Sequence, residues 1–156
     1  MNEVMITGSF DPITLGHMDI IKRAAKMFDR IAVVMFINPE KKYMFTLEQR
    51  LSMIKASCEM LEGIRVDYSE GTVVDYARDH GIKTIVRGVR NSKDYEYERT
   101  MESYNKMHGG LETVFLFSNE DLKNCSSTVV RDIIENKGDL DSVLPCEIIQ
   151  LKERPF

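Results

Sequence analysis

Five short apolar runs, each followed by a segment of helix-forming character, restrict the fold of this chain more than any other feature. The runs occupy residues 4–7, 31–37, 64–68, 82–86 and 114–117. Runs of this length between helical segments are typical of buried strands in a parallel sheet, because each parallel crossover needs a helix-sized connection. The sequence therefore predicts an α/β fold with helices on both faces of a five-stranded parallel sheet.

Capping residues indicate where the intervening helices begin. Thr14 can cap a helix that starts at Leu15, and Thr46 with Gln49 matches a capping box. The other helices are predicted at residues 72–80, 94–107 and 126–138 and from residue 141 towards the C-terminus. Right-handed crossovers then make 3-2-1-4-5 the expected strand order, which is the Rossmann-like, doubly wound arrangement.

The composition is that of an ordinary globular protein, and residues 1–156 are expected to form a single domain. The net charge of −4 argues against nucleic acid as a partner, and no segment is apolar enough to cross a membrane. The first residues lack the basic and apolar regions of a secretory signal, so we expect a cytoplasmic location. Cys58, Cys125 and Cys146 form no CxxC pair, and no metal-ligating residues are expected.

The turn after the first predicted strand carries the clearest chemical motif. Gly8-Ser9-Phe10-Asp11-Pro12 is followed by Thr14-Leu15-Gly16-His17 at a helix start. The first turn of a helix presents unpaired N–H groups and a partial positive charge, which attract anions. Gly16 leaves room for a phosphate, and the His17 imidazole adds a directed donor. We interpret this turn as a nucleotide-phosphate site, although a lone TxGH tetrapeptide is more often a simple strand–turn–helix corner.

Further polar segments are expected beside this motif. In the order 3-2-1-4-5 the sheet reverses between strands one and four, and ligands bind outside the carboxyl ends of the strands at that point. Arg87 and Arg90 follow strand four, and Lys41-Lys42 lie in a polar loop after strand two. Ser126-Ser127-Thr128 open a helix after strand five and could hold a phosphate, although an ordinary helix cap is the commoner role of such residues.

Together these segments resemble the family of bacterial phosphopantetheine adenylyltransferases, within the T/HxGH nucleotidyltransferase superfamily. The resemblance covers nearly the whole chain and rests on the segments SFDPITLGH (9–17), KKYMFT (41–46), RGVR (87–90), DYEYE (94–98) and SST (126–128). It implies transfer of AMP from ATP to 4′-phosphopantetheine by direct in-line attack, without a covalent intermediate, giving dephospho-CoA and pyrophosphate. It also implies Mg²⁺ as cofactor, a homohexamer and feedback inhibition by coenzyme A.

The resemblance implies roles for individual residues. His17 would contact the α-phosphate, Ser9 would hold the attacking phosphate, and Lys41 would bridge the two phosphates. Arg87 would bind the phosphate of phosphopantetheine, and Arg90 the phosphates of ATP. The ATP site would be completed by Phe10, Gly16, Gly88, Glu98, Ser126 and Ser127, and the pantetheine arm would be lined by Thr72, Val73 and Asn105.

Several alternatives stay open at this stage. Arg87 could pair with Asp94 or Glu96, and Glu98 could be an exposed residue of a charged helix. The sequence alone does not separate Lys41 from Lys42. Ser9, Tyr43, Thr72 and Cys125 stand where the family commonly has Thr, Pro, an apolar residue and Ile. The chain could also be a nucleotidyltransferase for another phosphorylated acceptor, or a non-catalytic nucleotide-binding protein on this scaffold.

Overall fold

The computed structural model describes residues 2–149 and has a five-stranded sheet at its centre. The strands are β1 (Glu3–Gly8), β2 (Arg30–Phe36), β3 (Ile64–Ser69), β4 (Thr84–Val89) and β5 (Glu112–Phe117). All four strand pairings are parallel, and the order is β3-β2-β1-β4-β5. The predicted α/β class, parallel sheet and strand order are confirmed.

The first four helices connect successive strands, and the other two follow the last strand. They are α1 (Leu15–Ala25), α2 (Leu47–Cys58), α3 (Val73–His80), α4 (Ser92–Gly109), α5 (Ser127–Glu135) and α6 (Cys146–Ile149), with a 3₁₀ turn at Glu120–Leu122. Thr14, Thr46, Thr72 and Ser126 cap α1, α2, α3 and α5. Each hydroxyl accepts a backbone N–H of the first turn, which has no partner inside its helix. Within residues 2–149 no helix combines the length and apolar character needed to cross a membrane.

Alternate side chains of the strands form two cores on opposite faces of the sheet. On one face, Val4 and Ile6 of β1 belong to a core completed by α1, α2, α5 and α6. On the other face, Met5 packs in a core with Tyr76 and Ala77 of α3, and α4 lies against α3 and β4. A central strand that is buried on both sides requires this alternation. The prediction of helices on both faces is confirmed.

Strand β4 extends further than predicted. The apolar run ends at residue 86, so Arg87 was expected in the loop that follows. In the structure β4 continues to Val89, because pairing with β5 includes Arg87 opposite Phe115. The sheet therefore fixes the backbone of Arg87, which a loop would leave less restricted.

Two helix starts also differ from the predictions. Helix α4 begins two residues earlier, at Ser92, because the Asn91 side chain caps it by accepting the N–H of Asp94 (2.9 Å). The last helix was predicted from Asp141 but begins at Cys146, directly after Pro145. Its predicted continuation beyond residue 149 lies outside the described residues.

Candidate active site

The carboxyl ends of β1 and β4 open into a cleft of about 290 Å³. This is the point at which the strand order reverses, as expected for a ligand site in such a sheet. The lining comes from the turn after β1, the loop after β2, the end of β4 and the first turns of α1 and α5. It includes the predicted residues Ser9, Phe10, Gly16, His17, Lys41, Arg87, Gly88, Arg90, Glu98, Ser126 and Ser127. The structure therefore brings the predicted phosphate and ATP residues together around one cavity.

A second cavity of about 100 Å³ adjoins the cleft. The residues that line both cavities are Thr7, Arg87 and Glu98. Val73 and Asn105, which the resemblance assigns to the pantetheine arm, line this smaller cavity. Thr72, which the resemblance assigns to the same arm, lines neither cavity. Its hydroxyl caps α3, where it accepts the N–H of Asp75 (3.0 Å) and donates to the Asp75 carboxylate (2.7 Å).

The side chain of Phe10 packs against the histidine of the motif. Its φ of 46° lies in the left-handed region, which residues other than glycine rarely adopt. Its side chain is buried, and its ring meets the His17 ring edge-to-face with the centroids 4.9 Å apart. Phe10 is therefore both a core residue and a support for His17, and strained backbone of this kind is typical of functional turns held by surrounding packing.

His17 is held as a neutral hydrogen-bond donor. The N–H of Thr14 donates to Nδ1 of the imidazole (3.0 Å), so Nδ1 carries no proton and Nε2 carries it. Burial, and then the positive charges of Arg87 and Arg90, lower the pKa of His17 from 6.5 to about 4. Because His17 lines the cleft, its Nε2–H is the group that it can offer to a ligand at neutral pH.

Gly16 allows the first turns of α1 and α5 to lie close together. A Cβ at this position would be 2.8 Å from the carbonyl oxygen of Cys125. We expected this glycine to make room for a phosphate, and the structure shows that it first makes room for that carbonyl. The Ser127 hydroxyl donates to the carbonyl of Pro12 (2.9 Å), which ties α5 to the motif turn. Two helix N-termini thus meet at the cleft. At α1 the N–H groups of Leu15 and His17 donate to the Val143 carbonyl and the Thr14 hydroxyl, which leaves the N–H of Gly16 for an anion.

Two arginines at the end of β4 are paired with carboxylates of α4. Arg87 donates through Nε and Nη2 to Glu98 (2.8 and 2.5 Å), and through Nη1 to the carbonyl and the hydroxyl of Thr7. Arg90 donates through Nε to Asp94 (2.8 Å). Asp94 and Glu98 are four residues apart and so share one face of the helix. We call Arg87, Arg90, Asp94 and Glu98 the arginine wall.

The partner of Arg87 differs from the alternatives that the sequence suggested. Asp94 and Glu96 were the candidates, whereas the carboxylate that binds Arg87 is that of Glu98. The possibility that Glu98 is a surface residue is also wrong, because the residue is only 8 % exposed. Helix α4 packs against β4, and its second turn rather than its first turn reaches Arg87.

The segment that carries Lys41 is anchored to the motif turn. We call residues 38–45 the lysine loop. The buried carboxylate of Asp11 accepts the N–H groups of Met44 (2.9 Å) and Phe45 (3.0 Å) at the end of this loop. Lys41 lines the cleft and Lys42 does not, which separates two lysines that the sequence alone left equivalent.

Arg131 and the anchoring role of Asp11 were missed by sequence reasoning. Arg131 lines the cleft and donates through Nη1 to the carbonyl of Asp11 (2.8 Å) and through Nη2 to the Thr128 hydroxyl (3.2 Å). The available signal was helical spacing, because Arg131 follows Ser127 by four residues and therefore lies on the same face of α5.

The fold around this site is similar to that of two solved bacterial structures. A candidate nicotinate-nucleotide adenylyltransferase from Vibrio parahaemolyticus superposes with a TM-score of 0.71 at 16% identity, covering 98% of this chain and 93% of that chain. A bifunctional NMN adenylyltransferase/ADP ribose pyrophosphatase from Francisella tularensis, complexed with AMP and a Mn ion, gives a TM-score of 0.68 at 16% identity, with 92% and 44% covered. The cytidylyltransferase-like family model matches residues 5–133. The family match thus places the chain among the nucleotidyltransferases, and its fold agrees.

Two bacterial phosphopantetheine adenylyltransferases are similar to this chain over most of their length. The enzyme of Thermotoga neapolitana is 43% identical over 142 residues, which cover 90% of this chain and 88% of the relative. That of Finegoldia magna is 42% identical over 154 residues, which cover 97% and 95%. The chain belongs to the phosphopantetheine adenylyltransferase family.

Proposed function

We propose that the chain transfers the adenylyl group of ATP to 4′-phosphopantetheine, with dephospho-CoA and pyrophosphate as products. The observation that carries this proposal is the position of Arg87, which lines both cavities. An acceptor whose phosphate binds Arg87 can extend its arm into the smaller cavity beside Val73 and Asn105, while ATP occupies the larger cleft. The two substrates would then meet at the motif turn.

The proposed reaction depends on positioning and charge stabilisation. An oxygen of the acceptor phosphate attacks the α-phosphorus of ATP in line, and a new P–O bond forms. The bond from the α-phosphorus to the oxygen of the β-phosphate breaks, and pyrophosphate leaves with the electron pair. A phosphate monoester is already ionised at neutral pH, so no residue has to remove a proton. The neutral state of His17 suits a hydrogen-bond donor in such a reaction.

Each proposed contact is the one that the family resemblance implies, and each involves a residue that lines the cleft. The Nε2–H of His17 would donate to an α-phosphate oxygen, and the Lys41 ammonium would bridge the acceptor phosphate and the α-phosphate. Arg90 would bind the outer phosphates of ATP, and Ser9 would hold the acceptor phosphate. Such charge-assisted contacts contribute roughly 1.5–3 kcal/mol each. The remaining ATP contacts are proposed at Phe10, Gly16, Gly88, Glu98, Ser126 and Ser127.

Magnesium enters this proposal as part of the MgATP substrate. Among residues 2–149, no group of three or more His, Cys, Asp or Glu could hold a metal ion. The cleft carboxylates of Asp94 and Glu98 already accept N–H groups from arginines. The phosphate oxygens of ATP and water would therefore supply most of the ligands, as is common for Mg²⁺ in nucleotide sites.

Pyrophosphate release with ATP, Mg²⁺ and 4′-phosphopantetheine tests the proposal. We expect release that requires the acceptor, that is lost in His17→Ala and that persists in Lys42→Ala, whose lysine does not line the cleft. Absence of release in protein that still binds ATP would contradict the proposal. A parallel panel of other phosphorylated acceptors, including nicotinate nucleotide, would then identify the alternative substrate.

The family resemblance also leads us to propose homohexameric assembly, feedback inhibition by coenzyme A and a cytoplasmic location. Sedimentation should give a mass six times the 18.0 kDa of one chain. Coenzyme A should inhibit pyrophosphate release in a concentration-dependent way. A monomeric mass, or release that coenzyme A leaves unchanged, would remove the corresponding part of the proposal without affecting the reaction itself.

A further inference from the structure

The ring of Tyr43 contacts both the lysine proposed for catalysis and a buried arginine. Lys41 Nζ lies 5.6 Å from the ring centroid, and the guanidinium carbon of Arg50 lies 3.8 Å from the same centroid. Both distances are within the range of cation–π contacts. We propose that Tyr43 is a positioning residue that holds the Lys41 ammonium at the cleft and is itself held by Arg50. This inference rests on the proposed function, in which Lys41 acts on the reacting phosphates.

Lys41 requires such support because its side chain has few other restraints. Within residues 2–149 its ammonium forms no ion pair and no hydrogen bond, and the residue is exposed. Fixing a free lysine side chain in one place costs rotamer entropy. A carboxylate partner would fix it but would also offset its charge and compete with phosphate. An aromatic face restricts the ammonium without neutralising it, so the full charge stays available to the substrates.

Tyr43 is fixed at its hydroxyl end as well as at its ring. The hydroxyl accepts the N–H of Asn38 (2.9 Å), which joins the start of the lysine loop to the residue two positions after Lys41. The Arg50 guanidinium packs on the ring from α2. The ring therefore has a defined position before any substrate binds.

Arg50 is a charged residue in a buried position, and two contacts compensate for its burial. It is 2% exposed, it has no carboxylate partner in the described part of the chain, and its Nε has no hydrogen-bond partner there. Burial of a charge without a counter-ion is costly. The ring of Tyr43 and the carbonyl of Ser9, which accepts from Nη1 (2.9 Å), are the groups that compensate. One guanidinium thus links the motif turn at Ser9 to the ring that contacts Lys41.

A double-mutant cycle on pyrophosphate release tests the coupling of Tyr43 to Lys41. At saturating substrates we expect Tyr43→Leu to lower kcat roughly two- to fivefold, the effect of losing one cation–π contact, with a smaller change in KM for ATP. Tyr43→Phe keeps the ring and should retain most of kcat. In the Lys41→Ala background, Tyr43→Leu should have no further effect on kcat, because its partner is gone. Thermal midpoints of all variants separate these effects from loss of folding.

The outcomes of the cycle distinguish this inference from the proposed function. Equal fold-losses from Tyr43→Leu in both backgrounds, or full activity of Tyr43→Leu beside an impaired Lys41→Ala, would overturn the inference alone. Full activity of Lys41→Ala would overturn it together with the proposed role of Lys41.

A measurement that needs no turnover examines the same contact directly. In ¹H–¹³C spectra the ε-methylene protons of Lys41 should show a ring-current shift that Lys42 lacks. The shift should persist in Tyr43→Phe and disappear in Tyr43→Leu. Equal shifts for Lys41 and Lys42 in the wild-type protein would overturn the inference whatever reaction the chain catalyses.

Discussion

The two sides of the cleft hold their positive charges in different ways. On the arginine wall, Arg87 and Arg90 are each paired with a carboxylate of α4, and Arg87 also donates to Thr7. In the lysine loop, the ammonium of Lys41 has no carboxylate partner among the described residues and lies against the ring of Tyr43. The guanidinium groups of the wall therefore have fixed positions, and neighbouring carboxylates offset their positive charge. The ammonium of Lys41 keeps its full positive charge and is carried by a flexible side chain.

Because of this difference, the two sides can contribute to the proposed reaction in different ways. A guanidinium paired with a carboxylate is already oriented and therefore positions substrates without reorganisation. An ammonium without a counter-ion acts more strongly on the charge that develops at phosphate oxygens, because no neighbouring carboxylate offsets its field. Changes at Lys41 should therefore appear mainly in kcat with little loss of stability. Changes in the arginine wall, whose arginines are proposed to bind the substrates, should also lower the stability of the fold.

The largest effect is expected from Lys41→Ala. Loss of one group that stabilises transition-state charge lowers kcat by roughly 10²–10³-fold. Because Lys41 is exposed and unpaired within the described residues, the thermal midpoint should stay within measurement error. Steady-state pyrophosphate release and calorimetry measure the two quantities, with Lys42→Ala as the control. A loss confined to KM would place Lys41 in ground-state binding and remove the contrast with the wall.

The next largest effect is expected from a change at Asp11, whose carboxylate anchors the lysine loop. In Asp11→Asn the N–H groups of Met44 and Phe45 lose a charged acceptor, and one of them would face an amide NH₂. We expect a loss of about 3 kcal/mol in the free energy of unfolding, measured with urea. Asp29→Asn is the matched control, because Asp29 accepts the N–H of Asn2 at an exposed site. Equal losses in the two variants would show that the anchor is not specific.

Two equivalent substitutions on α4 compare the contributions of the two ion pairs of the arginine wall to stability. Glu98→Gln should lower the free energy of unfolding by about 2 kcal/mol, because the carboxylate of Glu98 is buried and binds Arg87 with both oxygens. Asp94→Asn should lower it by less than about 1 kcal/mol, because the pair of Asp94 with Arg90 is partly exposed. Urea denaturation of both variants measures the difference. An equal loss would mean that burial does not distinguish the two pairs.

The fold was predictable from the sequence because its signals are local. Apolar runs mark the strands, and hydroxyl residues such as Thr14 and Thr46 mark helix starts, so the order of the sheet followed from connection rules. The position of the cleft followed from that order and from the motif that ends in His17.

The pairings inside the cleft were not predictable in the same way. The contact of Glu98 with Arg87 depends on which turn of α4 meets β4, and the contact of Asp11 with the lysine loop depends on a turn whose path has no periodic signal. A single position of positive φ at Phe10 sets part of that path. Packing between segments that are distant in the chain decides such details, and spacing along the sequence does not encode them.

The pH dependence of stability that comes from His17 is a further small effect, and it involves both arginines of the wall. The pKa of His17 is lowered to about 4, first by burial and then by Arg87 and Arg90 of the wall. In the unfolded chain the pKa is near 6.5, so below that pH protons bind preferentially to the unfolded state. The stability that comes from neutral His17 is therefore complete above pH 6.5, is lost as the pH falls from 6.5 to 4, and changes no further below 4.

His17→Gln isolates this contribution, because a glutamine carbonyl can accept the N–H of Thr14 and so preserve the capping box that His17 completes. We expect the wild-type protein to lose about 1–2 kcal/mol more than the variant between pH 6.5 and 4, less than the full shift implies because His17 faces the cleft. Urea denaturation at each pH measures the difference. The amide NH₂ of glutamine can also replace the Nε2–H as a donor, so His17→Gln should retain more kcat than His17→Ala. Parallel stability curves for wild type and variant would mean that neither burial nor the charges of Arg87 and Arg90 lower the pKa of His17 in the folded protein.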